Sequence, residues 1–145
     1  SLDLDDNSYI CVFSCYENPE HLTDKNNRKL KVRNKTTKAA SEIMLEHNSV
    51  VLFSTTVNQE HLHKIALDGK SHTRWLGITF RLSKTSIKFI DNVPYFDDDK
   101  QLTLASEDEK KQFYKLRRSE NKQTHHKYPK INYTISASDM LPPTI

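Results

Sequence analysis

The apolar residues of this chain come in short bursts, Ile10-Cys-Val-Phe13, Val50-Val-Leu-Phe53 and Ile87-Lys-Phe-Ile90 among them, each far shorter than a buried helix needs. β-branched and aromatic side chains dominate the bursts and polar turn residues separate them, so each predicts a strand. Because Gly69 and Gly77 are the only glycines, the turns must use Asn, Asp, Ser and Pro. Strands are expected over residues 8–16, 28–33, 42–44, 50–55, 61–66, 73–82 and 86–89. The fold class that follows is mainly β and largely antiparallel, a portion of a double-stranded β-helix, or jelly roll, with an open end.

Length bounds the rest. A chain of 145 residues suits one domain, since halving it would leave pieces too small to bury much apolar surface. Hydrophobic content of 35% beside 28% charged residues is polar for a folded protein, yet the bursts supply a core. After Pro94 the character changes. Ser106 with Glu109 forms a capping box, and Phe113 with Leu116 makes an apolar stripe, predicting one helix over about 107–121. Its open face carries Lys110, Lys111, Lys115, Arg117 and Arg118, and a short strand is expected around 131–135. The organisation expected is a β-rich core over 1–90 and a C-terminal extension over 91–145, packed on the same domain.

No apolar stretch approaches the ~20 residues of a membrane span, and the first residues lack the pattern of a secretion signal, so no membrane partner and an intracellular setting are expected. Cys11 and Cys15, on one strand, would share a face about 13 Å apart, which predicts free thiols rather than a disulfide. Charge is unevenly spread. Residues 1–24 hold six acids and no Lys or Arg, and residues 25–38 hold seven bases and no acid. Within that basic strip Leu30 and Val32 would face the core while Lys29, Lys31 and Arg33 project outward, where they could meet nucleic-acid phosphates or simply water.

The run containing His61 and His63, followed by Arg74-Trp-Leu-Gly-Ile-Thr-Phe-Arg81, suggests chemistry. A non-haem iron oxygenase needs two imidazoles and a carboxylate on one face of the metal, with positions left for an oxo acid and oxygen. An arginine further along can fork onto the oxo acid's remote carboxylate. In this sequence Glu46-His47-Asn48-Ser49-Val50-Val51, His63-Lys64-Ile65 and Thr79-Phe80-Arg81 resemble, in order, the downstream motifs of the AlkB-like Fe(II)/2-oxoglutarate-dependent dioxygenases. The similarity covers roughly residues 1–85.

That resemblance implies Fe(II) and 2-oxoglutarate as cofactors, His63 as the distal iron ligand, and Arg81 as a partner of the 2-oxoglutarate carboxylate. Counting back by the family's usual interval reaches Ser1-Leu2-Asp3, which makes Asp3 the expected carboxylate ligand and puts Ser1 where the first histidine would stand. The missing imidazole is expected either before residue 1 or lost. The family's two arginines face the same way along their strand, whereas Arg74 and Arg81 are an odd number of residues apart. Gly77 lies between them, and a bulge there would bring Arg74 onto the face of Arg81. The function implied is oxidative hydroxylation or demethylation, with a nucleic-acid base as favoured substrate. The alternative is a non-catalytic scaffold of the same fold serving as a binding or structural module.

Overall fold

A computed structural model describes residues 3–70 and 73–143 of the chain, and the fold is mainly β with largely antiparallel pairing. Two three-stranded sheets dominate. The first is built around β1 (Tyr9–Tyr16), which lies between β4 (Ser49–Ser54) and β6 (Trp75–Arg81). The second is built around β2 (Arg28–Asn34), which lies between β3 (Ala40–Met44) and β5 (His61–Leu67). Neither β5 nor β6 has a second strand on its outer side among the described residues.

Alternation along β1 sets the inside of the protein. Ile10, Val12, Ser14 and Tyr16 are buried, while Tyr9, Cys11, Phe13 and Cys15 point the other way. Antiparallel register then assigns every neighbour to a face, because directly opposed residues share one. Ile10 opposes Phe53 and Arg81, and Val12 opposes Val51 and Thr79, so all of these face inward. In the second sheet Leu30, only 2% exposed, fixes the inner face, which carries Val32, Ile65 and His63 as well. Edge-on contact between Phe53 and His63, with ring centroids 5.5 Å apart, and Arg28 stacked 4.9 Å above the Trp75 ring, join the two inner faces. The Tyr16 hydroxyl donates to Asn27 Oδ1 at 2.6 Å and accepts from Arg28 N at 2.8 Å, sewing the sheets together at that end.

Turn chemistry follows the glycine shortage. Asn48, Asp91, Asn92 and Asp99 all adopt positive φ, the left-handed conformation that short polar side chains tolerate best, and Lys38 joins them. Asp91 and Asn92 close a hairpin between β7 (Ile87–Ile90) and β8 (Val93–Phe96). That second strand was not expected, since Pro94 interrupts it; paired on one side only, it is a place where a strand accepts proline. Residues 55–60, with Thr55 read as the end of a strand, instead form a short helix, α1 (Thr55–Glu60), started by Ser54 Oγ accepting from Val57 N at 3.2 Å.

Beyond the hairpin, β9 (Thr103–Leu104) pairs in parallel with β10 (Tyr133–Thr134), and α2 (Glu107–Glu120) lies between them in sequence. The capping box is formed: Ser106 Oγ accepts from Glu109 N, and a Glu109 carboxylate oxygen accepts from Ser106 N. No residue of α2 is fully buried. Its C-terminal end is instead tied to the β2–β3 turn by Lys35 Nζ, which donates to the carbonyls of Glu120 at 3.0 Å and Gln123 at 2.9 Å. Those carbonyls are among the groups a helix end leaves unpaired, and a cation there also meets the negative pole of the helix.

Pairing through Gly77 is regular. Every residue of β6 opposes one residue of β1 in unbroken order, Ser14 facing Gly77, so the expected bulge is absent. The glycine has another use, because the Trp75 ring lies across it and a Cβ at position 77 would come within 2.1 Å of that ring. Replacing Gly77 with Ala should therefore push the ring off its seat and away from Arg28, costing about 1–2 kcal/mol. Urea unfolding measures the loss, and the emission of Trp75, the only tryptophan, reports the displacement; an unchanged spectrum and midpoint would contradict this seating.

Candidate functional site

His63 and Arg81 come from the strands that border the opening. The centre of the sheet pair is closed, with Val12, Ser14 and Leu30 buried, whereas His63, Ile65, Thr79 and Arg81, all on inner faces, remain exposed. The two sheets thus gape along the β5 and β6 edges. Across that gap burial pushes the His63 imidazole below its usual range, and the positive charges of Arg81 and then Lys35 push the same way. One side of the ring is open to water while Phe53 and the strand neighbours displace water from the other, so desolvation is real despite the exposure. A neutral imidazole beside a guanidinium is the consequence, and only the neutral form offers a lone pair to a metal.

Arg74 does not join them. It stands one residue before Trp75, and with no bulge the alternation turns it to the face opposite Arg81. Its side chain is 90% exposed and its nearest acid is Glu17, with Arg74 Nε 3.9 Å from the carboxylate. The expectation that Arg74 helps hold the oxo acid is therefore corrected: it depended on a bulge that the strand does not have.

Asp3 is placed on another wall. Leu4 bridges to Ser83 beyond the end of β6, and Asp3 Oδ2 accepts from Ser83 Oγ at 2.8 Å. Asp3 lines a groove of about 1240 Å³ with Ser83, Phe89, Phe113 and Tyr128, and neither His63 nor Arg81 is among the lining residues. Ser1, the position matched to the first histidine, lies outside the described residues. Among the described residues no group of three or more His, Cys, Asp or Glu side chains is arranged to hold a metal ion. The residues present thus supply one well-placed imidazole and not a facial triad.

His47, in the motif before β4, holds the fold together rather than a ligand. Its Nδ1 accepts from Tyr16 N at 3.1 Å and ties the β3–β4 turn to the end of β1. The sequence carries no signal for that bond. Lys35 was also missed as a neighbour of the site, because it acts from the β2–β3 turn rather than from a strand.

The basic strip is less open than its composition suggests. Lys29 and Lys31 do point outward, but Asp68 sits between them at 2.8 and 2.9 Å, and Glu42 at 3.5 and 3.0 Å. Hydrogen bonds from Lys29 and then Lys31 hold the Asp68 carboxyl at about 2. Two bases facing two acids leave little net field there for phosphates, and Arg33 alone of the three has no such partner among these pairs. On α2, Lys110 and Lys111 pair with Glu107 and Asp108 in the first turn. No helix among the described residues is long and apolar enough to cross a membrane, and both cysteines are free thiols.

With the geometry established, comparison to known proteins adds nothing further: no family model matches the chain, and neither a curated protein nor a solved structure matches it.

The facing of His63 and Arg81 has a direct electrostatic readout. Substituting Arg81→Gln removes one of the two positive charges acting on the ring, so the His63 pKa, followed by NMR titration of its ring protons, should move up toward 6.5. The same titration in Arg74→Gln should not move. A His63 pKa indifferent to Arg81 would show that the two groups do not share a cavity.

Proposed function

We propose that this chain carries the downstream half of an Fe(II)/2-oxoglutarate-dependent dioxygenase of AlkB-like type, an enzyme of oxidative hydroxylation or demethylation with a nucleic-acid base as substrate. The observation that carries the proposal is the pairing of a neutral imidazole at 63 with the guanidinium at 81, on facing inner surfaces, at the open edge of two packed sheets. Strand order supports it. The orders β6-β1-β4 and β5-β2-β3 are those of six consecutive strands in an eight-stranded jelly roll, whose first two strands would flank β6 and β5. Arg81 would fork onto the remote carboxylate of 2-oxoglutarate, the contact for which a planar guanidinium is best suited.

His63 would be one iron ligand. Bound iron with its oxo acid would supply the oxidising chemistry, while the chain's own residues bind and orient. The described donors do not complete a ligand set, so no chemical step is assigned to them. Nucleic acid, if it is the substrate, would not be gripped by Lys29 and Lys31, whose charges are matched locally. The two free thiols agree with an intracellular, reducing setting.

The same observation about donors favours a second reading, a jelly-roll scaffold that binds without turning over. Both readings keep the carboxylate site, and they part on catalysis. Titration with 2-oxoglutarate should give saturable shifts at His63 and Arg81, weakened at least tenfold by Arg81→Ala. Adding Fe(II) and methylated oligonucleotide should then yield succinate if the enzyme reading holds. Binding without succinate points to the scaffold, and no binding by a folded sample at millimolar 2-oxoglutarate contradicts both.

A further inference from the structure

The face of the first sheet that points away from the second is apolar from edge to edge. Leu52, Cys11 and Phe80 form one row across β4, β1 and β6, and Val50, Phe13 and Ile78 form the next. Leu52 is 61% exposed, Val50 58% and Phe80 57%, on strands whose inner residues are largely covered. Tyr9 and Leu76 extend the patch along the strands, and no charged residue of these three strands lies on it. The contrast with the second sheet is direct, since the corresponding outward face there carries Lys29, Lys31, Glu42 and Lys64. A contiguous uncharged face of this kind costs free energy in water and marks a surface built to be covered.

Its size and chemistry choose the cover. Three strands at ~4.8 Å spacing and about seven residues at ~3.3 Å each give a footprint of roughly 14 by 23 Å. That is about the width and length of one α-helix of about 15 residues, ~10 Å across and ~1.5 Å per residue. It is well below the ~800 Å² per partner that a stable dimer buries, which argues against a second copy of the chain. The lack of any charge on the patch argues against nucleic acid, a charged peptide or an ionic strap, and calls for aliphatic contacts alone.

We propose that the outer face of the first sheet is the docking surface for an amphipathic α-helix of a partner polypeptide, laid along the strands with its aliphatic side on Leu52, Phe80 and their neighbours. The helix is read by side chains at i, i+3, i+4 and i+7, and its polar side stays in water. The proposal is independent of the oxygenase reading, because the patch and the His63–Arg81 pair lie on opposite faces of the same sheet.

The test uses the full chain and a fluorescent synthetic peptide of about 15 residues, with Leu and Ala on one helical face and a balanced Glu/Lys face opposite. Expected are saturable anisotropy, a gain of helical circular dichroism on mixing, and slowed hydrogen exchange in β1, β4 and β6. The double variant Leu52→Glu/Phe80→Glu should weaken binding at least tenfold, and Lys64→Glu, on the other sheet's outer face, should not. Both variants alter exposed positions, and their own circular dichroism confirms folding before the comparison. Three results would overturn the proposal: no binding or binding unaffected by the double variant; binding without helix gain and with protection confined to the β6 edge, meaning an added strand; or peptide-free dimers in sedimentation that protect the same face.

Discussion

β1 is the strand against which the rest of the first sheet is registered. Its even-numbered residues are buried and its odd-numbered ones point away, so a slip of one residue against β4 or β6 would carry Phe53 and Arg81 to the outside and Leu52 and Phe80 to the inside. Burial of Ile10, Val12 and Tyr16 thus selects the register, and the register selects which chemistry faces the second sheet. Tyr16 contributes twice, by filling the interior and by bonding Asn27 and Arg28 at the start of β2. The site at the opposite end inherits its geometry from this arrangement without taking part in it.

Much of this was legible in the sequence. The seven expected strands each correspond to a strand of the fold, because β-branched runs bounded by Asn, Asp and Ser leave few alternatives. The capping box at Ser106 was equally plain, since two side chains three residues apart satisfy two specific backbone groups. Free thiols at Cys11 and Cys15 followed from strand geometry alone. What failed did so for local reasons. Thr55-Thr-Val57 has the composition of a strand, but the Ser54 cap and the tight return into β5 make it helical. Pro94 hid β8, although Asp91-Asn92 is a pair able to form the left-handed turn before it.

The misreading at Gly77 shows how one residue type can serve two purposes. A glycine inside a strand is as compatible with a neighbouring ring that needs the space as with a bulge, and sequence does not distinguish the two. Trp75 takes the space, the ladder stays regular, and Arg74 turns outward. The basic strip at 28–33 misled in a related way, since the acids that neutralise it, Glu42 and Asp68, come from distant parts of the chain. Of the expected site, His63 and Arg81 face one opening, Asp3 lines another wall, and Arg74 leaves.

All of this depends on the two sheets packing inner face to inner face with His63 opposite the first sheet. The most direct measurement is a nuclear Overhauser spectrum of the aromatic protons. Phe53 and His63 lie on different sheets, and at a centroid separation of 5.5 Å their ring protons should give mutual cross-peaks. Cross-peaks from Phe53 confined to Ile10 and other residues of its own sheet, with none to His63 in a folded sample, would contradict the account.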